Sequence, residues 1–365
     1  MAVDGLITWQ ADIAPALLAH YRAHARALPW RSPPGTAAPS PYRVWLSEIM
    51  LQQTTVAAVI PYYQRFTQRW PSVEALAGAA DADLMAAWAG LGYYARARNL
   101  LACARHVTLE RNGRFPEDEA GLRGLPGVGA YTAAAVAAIA FRQRAVVVDG
   151  NVERVVSRLF AVETALPAAK PILRALADSI TPQDDAGDFA QAMMDLGATI
   201  CTPKRPACLT CPLSAMCAAR ASGTQERYPI KAPKKDRPTR SGTAYWLEAD
   251  GAVWLVRRAD KGLLGGMAAL PTSDWAEGDA AYVPPLAGDW RVLAEPVRHI
   301  FTHFALNLAV ARLALAVRPD EAQLVSAFGA GQWWPVAQIE QAGLPTVFAR
   351  AAMAARDAAR DEDAE

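Results

Sequence analysis

A chain of 365 residues has room for two or three domains, and with 52% hydrophobic and 20% charged residues it can bury a substantial core rather than stay disordered. No uninterrupted apolar run reaches about 18 residues, which excludes a membrane-spanning helix. The net charge of +1 conceals an asymmetry: residues 1–240 hold 27 basic against 20 acidic side chains, whereas residues 241–365 hold 10 against 16.

The opening stretch carries Asp4 and Asp12 and lacks the basic start and apolar core of a signal peptide, so a reducing, cytoplasmic setting is expected. The basic first part is suited to meeting a polyanion.

Residues 8–225 read as mainly helical. Ala-rich periodic stretches mark 42–66, 81–90, 94–111, 130–142, 151–161, 167–180 and 188–199, punctuated at Pro71, Gly90–Gly92, Gly113–Pro116 and Pro126–Gly129. In the first of them, Trp45-Leu-Ser-Glu-Ile-Met-Leu-Gln-Gln-Thr-Thr-Val56, a continuous helix puts Glu48, Gln52 and Thr55 on one face. Such a stripe is either a solvated side or the lining of a cleft.

Further along, Gly127 and Gly129 permit a positive-φ turn between two helices and leave bare N–H groups at the start of the second, an anion site suited to a DNA phosphate. Asp149 ends the apolar run Val146–Val148 just before a helix. It is placed as an N-cap, and a carboxylate fixed there is also well positioned for chemistry.

Four of the five cysteines form Cys201-x6-Cys208-x2-Cys211-x5-Cys217, separated by the loop formers Thr202, Pro203, Pro206 and Pro212. Both iron–sulfur centres and structural zinc take four Cys; zinc favours paired C-x2-4-C knuckles, and only one C-x2-C pair is present. With the neighbouring sequence added, an iron–sulfur cluster is favoured. Two disulfides are the remaining alternative, disfavoured by the compartment. Cys103, in an Ala/Leu-rich helix, reads as a core thiol.

Residues 219–241, with Gly223, Pro229, Lys231, Pro233, Lys234, Lys235, Arg237 and Pro238, read as a basic linker. Short strands are expected at Ala244–Leu247, Ala252–Val256, Trp290–Ala294, His299–Phe304 and Leu306–Ala316, then a helix over 347–358 and a frayed acidic tail. The layout is an all-α part, a linker and an α+β part.

Taken together, Leu-Pro-Gly-Val-Gly129, Val-Asp-Gly-Asn-Val152 and the cysteine loop resemble the helix-hairpin-helix DNA glycosylases of the endonuclease III type. Leu28-Pro-Trp-Arg31, the segment around Glu48, and Gly90-Leu-Gly-Tyr-Tyr-Ala-Arg-Ala-Arg-Asn99 narrow the resemblance to the adenine DNA glycosylases, the MutY family. Ala252-Val-Trp-Leu-Val-Arg-Arg258 with Lys261-Gly-Leu-Leu-Gly-Gly-Met-Ala-Ala-Leu-Pro271 looks like that family's MutT/Nudix-like domain.

The resemblance implies a multidomain chain. Residues 1–218 would form an all-α helix-hairpin-helix glycosylase part with the cluster loop, 219–241 a linker, 242–355 an α+β Nudix-like domain and 356–365 a disordered acidic tail. It implies a 4Fe-4S cluster on Cys201, Cys208, Cys211 and Cys217, and base flipping on double-stranded DNA carrying A:8-oxoguanine or A:G. The protein would act as a monomer, without a membrane, with unspecified repair-clamp or mismatch-repair contacts.

Residue by residue, Glu48 would protonate adenine and Asp149 would stabilise the cationic sugar, the logic of a glycosidase acid and nucleophile. Tyr131 and Asn151 would hydrogen-bond in that site. Tyr131 stands where bifunctional relatives carry the Schiff-base lysine, so a glycosylase without strong lyase activity is expected. Trp30 and Arg31 would lie at the pocket. Gln53, Thr54, Leu91, Gly92 and Tyr93 would meet the stack beside the opposing base. Gly127 and Gly129 would meet the backbone and Asp195 the adenine. Phe301, Thr302 and His303 would meet 8-oxoguanine, with Thr302 in place of the family's frequent Ser. The R-E-x-x-E-E run that a Nudix hydrolase needs for its metal is missing after Pro271, so pyrophosphate hydrolysis is not expected.

Overall fold

A computed structural model describes residues 5–233, 237–259, 262–278 and 282–362. They fall into two compact units that meet between Pro233 and Lys234.

The first unit is helical: α1 Gly5–His24, α2 Pro41–Leu51, α3 Val56–Arg69, α4 Val73–Ala77, α5 Asp81–Trp88, α6 Ala95–Arg111, α7 Glu119–Arg123, α8 Ala130–Phe141, α9 Gly150–Leu159, α10 Lys170–Ile180, α11 Ala186–Thr199 and α12 Ala218–Ala221. Its centre is α8. Ala133 to Ala138 are fully buried there, and small side chains let α2, α7 and α11 close around it.

The stretch 42–66 is not one helix. Gln53 takes a left-handed φ of 57°, and Thr55 accepts from the Ala58 N–H as the N-cap of α3. A β-branched hydroxyl residue satisfies a new helix start better than it continues an old one. The break takes Thr55 off the face of Glu48 and leaves Gln53 and Thr54 in a turn.

Residues 219–233 are not linker either. After α12, the Leu166 N–H donates to the Ile230 carbonyl at 2.8 Å, the Ala232 N–H to the Leu166 carbonyl at 3.2 Å, and Tyr228 is buried. The prolines only prevent a long helix; the backbone finds partners on the loop before α10. Residues 234–236 of the expected linker lie outside the described residues.

The second unit is built on a mixed sheet of β1 Thr239–Ala249, β2 Ala252–Arg257, β3 Ala268–Ala269, β4 Ala276–Glu277, β5 Arg291–Val292, β6 Val297–Ile300, β7 Ala305–Leu315 and β8 Gly331–Pro335. Strands β1 and β7 run parallel from Thr239↔Ala305 to Ala249↔Leu315. Alternation sends Trp246 to a core shared with Leu306, Leu308 and Phe348, and Leu247 to the other face with Trp254 and Leu313.

Two further helices are α13 Glu321–Phe328 and α14 Thr346–Glu362. Helix α14 runs through most of the segment read as an acidic tail, and 363–365 lie outside the described residues. The stretch His299–Phe304 is a strand only to Ile300. The Phe301 N–H then donates to the Phe304 carbonyl at 2.9 Å, closing a turn into β7.

Candidate active site

Helices α2, α8, α9 and α11 enclose a cavity of about 710 Å³. Glu48 reaches it from a buried turn of α2, only 5% exposed. Tyr131, in the first turn of α8, donates its phenol to Glu48 Oε2 at 2.8 Å. Burial pushes the Glu48 carboxyl up to about 7; the Tyr131 hydrogen bond opposes this, the nearby Asp149 charge adds to it, and Arg31 opposes it. A carboxyl that still holds its proton near neutral pH can act as a general acid.

Asp149 comes from the other side as the N-cap of α9. Its Oδ1 accepts from the Asn151 and Val152 N–H groups at 2.9 and 2.7 Å, and its Oδ2 from Asn151 Nδ2 at 2.8 Å. Three donors on an acceptor-only group hold it firmly. Arg154 links this end of α9 to the cysteine loop, donating to Asn151 Oδ1 at 2.9 Å, the Gly197 carbonyl at 2.7 Å and the Cys201 carbonyl at 2.8 Å.

Trp30, Arg31, Gln53, Thr54 and Asn151 also line the cavity. Asp195, expected to meet the base, does not. Arg31 Nη1 donates to both of its oxygens at 2.8 Å, and Arg26 Nε donates to Oδ1 at 2.6 Å. The short Asp side chain is engaged by the two guanidinium groups of Arg26 and Arg31.

Leu91, Gly92 and Tyr93 lie outside the cavity but share a hub with Thr54. Arg96 donates to Thr54 Oγ1 at 3.2 Å and to the carbonyls of Leu91, Gly92, Ile49 and Met50 at 2.9 to 3.3 Å. Tyr93 is left 58% exposed with a left-handed φ of 50°. An arginine that looks solvated in the sequence is thus the tie between two turns.

The hairpin between α7 and α8 differs in one respect from expectation. Only Gly127 is left-handed, at φ 72°, where an added Cβ would sit 2.6 Å from Asn99 Cβ. Gly129 is extended at φ −87° with open space around it, so the turn does not require glycine there.

Sequence reasoning missed Gln191. It lines the cavity, and its amide oxygen is buried without a hydrogen-bond partner. The signal was the stripe Gln191–Met194–Asp195 at i, i+3, i+4 on α11.

The four clustered cysteines are all free and ring one small cavity beside Arg158. Among the described residues no three His, Cys, Asp or Glu converge as they would on a single ion. These four thiols are the residues that could hold a metal centre. The buried Arg158 donates to Cys201 Sγ at 3.2 Å and to the carbonyls of Thr202, Pro203 and Tyr228 at 2.7 to 3.2 Å, which fixes the loop. In the second unit, Thr302 and His303 are exposed at the tip of the β6–β7 turn, and Phe301 is half-buried beneath them.

Comparison with known proteins follows the same division. The family described as HhH-GPD superfamily base excision DNA repair protein matches residues 46–182, and the NUDIX domain matches 242–354. The adenine DNA glycosylase of Homo sapiens is 35% identical over 362 residues, covering 82% of this chain and 66% of its own length. That of Mycobacterium tuberculosis is 43% identical over 233 residues, covering 63% of this chain and 72% of its own. A solved thermostable thymine-DNA glycosylase aligns at a TM-score of 0.53 and 30% identity, over 58% of this chain and 97% of that one. Among the described residues no helix is long and apolar enough to cross a membrane.

Proposed function

Because this chain belongs to the adenine DNA glycosylase family, hydrolysing N-glycosidic bonds in base excision repair, we propose that it removes adenine paired with 8-oxoguanine or guanine and leaves the strand uncut. The observation that carries this reading is the pair of carboxyl groups on one cavity: Glu48 dry and shifted up to about 7, Asp149 held by three N–H donors.

The target adenine leaves the duplex, at a cost of roughly a few kcal/mol that is smaller at a mismatch, and enters the cavity. Glu48 protonates N7, turning adenine into a competent leaving group. As the bond breaks, positive charge grows on the sugar. Asp149 stabilises it, and Asn151 keeps the carboxylate oriented. Glu48, now ionised and accepting the Tyr131 phenol, assists the attack of water. The unpartnered Gln191 oxygen is an acceptor suited to the exocyclic amine of adenine, since a polar site built for a donor rejects bases lacking it.

Tyr131 cannot form an imine. The single lysine among the described residues lining the cavity, Lys170, is paired with Glu153 at 3.6 Å. Gln53 and Tyr93 are suited to wedging into the stack, with Thr54, Leu91 and Gly92 held beside them by Arg96. Gly127 and Gly129 offer backbone N–H groups to phosphate. Phe301, Thr302 and His303 read the opposing 8-oxoguanine. Cys201, Cys208, Cys211 and Cys217 would hold a 4Fe-4S cluster, which supplies rigidity and charge to its loop. The protein works as a monomer on cytoplasmic DNA.

The test incubates the chain with duplexes carrying A opposite 8-oxoguanine and treats half of each sample with alkali. Cleavage only after alkali is expected. Cleavage without alkali implicates a lyase, and an intact strand in both halves a binding protein.

A further inference from the structure

The turn Phe301–Phe304 rests on an aromatic cluster that no motif marks. Trp275 stacks on Phe301 with ring centres 5.7 Å apart and planes 28° apart. It also lies 6.3 Å from Phe304 and 6.2 Å from Phe348 of α14. The Arg258 guanidinium sits 5.1 Å from the Trp275 ring centre, and His299 meets the edge of Phe301 at 4.6 Å. The strand below makes room: a Cβ on Gly242 of β1 would fall 2.4 Å from Trp275 Cδ1.

The Trp275 Nε1 is buried without a hydrogen-bond partner. The indole is therefore held by its faces and not by a polar anchor, and its faces are what it contributes. Across the turn itself, one backbone bond closes the loop, from Phe301 N–H to the Phe304 carbonyl. Thr302 and His303 project from it into solvent. Distinguishing 8-oxoguanine from guanine requires a hydrogen-bonding group placed at the N7–H and O8 edge, so small shifts of the tip cost selectivity.

We propose that Trp275 is a positioning residue: by stacking on Phe301 it sets the pose of the Thr302–His303 tip, and so the preference for 8-oxoguanine over guanine opposite adenine. This rests on the reading of that tip given above. Trp275 acts through Phe301 and contacts no DNA.

The full-length chain is assayed by single-turnover excision from A:8-oxoG and A:G duplexes, and the ratio of the two rates is read for Thr302→Ala, Trp275→Leu and Trp275→Phe. Trp275→Leu lowers the ratio by roughly three- to tenfold, the scale of one lost aromatic pair, and Trp275→Phe restores most of it. If Trp275→Leu fails to fold, Trp275→Met, which refills the space without a ring, carries the same expectation. A ratio lowered by Thr302→Ala but unchanged in the folded ring-less variant overturns the inference and leaves the tip reading intact. A ratio unmoved by Thr302→Ala overturns the tip reading itself, and the role of Trp275 with it. A loss that Trp275→Phe does not restore also contradicts stacking as the cause.

Discussion

Glu48 and Asp149 face one cavity from opposite kinds of surroundings. Glu48 projects from the last turn of α2, where its one side-chain hydrogen bond is a phenol and burial dominates. Asp149 sits at the start of α9, where the helix itself supplies two N–H donors and Asn151 a third. Two carboxyl groups of similar intrinsic acidity are thereby assigned different work. In the proposed mechanism the buried carboxyl is the proton donor, and the one capping a helix N-terminus is held in place by N–H donors. The chemistry follows from where each residue falls on its helix, not from residue type.

The largest test of that contrast is Glu48→Gln, which keeps an acceptor for Tyr131 but has no proton to give. Excision is expected to fall by about a thousandfold, within the range of general acid catalysis, while duplex affinity persists. Turnover near the wild-type rate sinks the assignment.

The same variant has an opposite effect on stability. The folded carboxyl titrates near 7 and its ordinary value is 4.5. Between those values the folded state keeps a proton that the unfolded chain releases, so stability falls as pH rises and the full cost is present above about 7. Glu48→Gln removes a cost on the order of 3 kcal/mol at pH 8 and none below pH 4, measurable by urea unfolding at the two pH values. A variant no more stable than wild type at pH 8 would mean the carboxyl is not truly dry.

Asp195→Asn sharpens the comparison from outside the cavity. It leaves the buried Arg31 without its ion-pair partner, and a destabilisation of about 3 kcal/mol is expected from thermal unfolding. The smallest effect belongs to Tyr131→Phe. The phenol holds Glu48 down, so removing it moves the basic limb of the pH–rate profile upward by about one unit or less. A downward shift contradicts the role given to that hydrogen bond.

Much of this was legible in the chain because its signals are local. The cysteine spacing, the Gly127 turn and the capping position of Asp149 each depend on a few neighbouring residues. What stayed hidden depends on tertiary contact. The capture of Asp195 by Arg26 and Arg31 and the acceptors that Arg96 finds on α2 and Thr54 join segments dozens of residues apart. The stretch 219–233 misled for the opposite reason: its prolines read as linker, yet its backbone pairs with a distant loop.

The pH dependence of single-turnover excision from an A:8-oxoG duplex tests the central claim most directly. With Glu48 as a buried acid, the wild-type rate is predicted to decline as pH rises through about 7, and the residual rate of Glu48→Gln to show no such limb. A wild-type rate that stays flat from pH 6 to 9, or a limb near 7 that survives in Glu48→Gln, would contradict it.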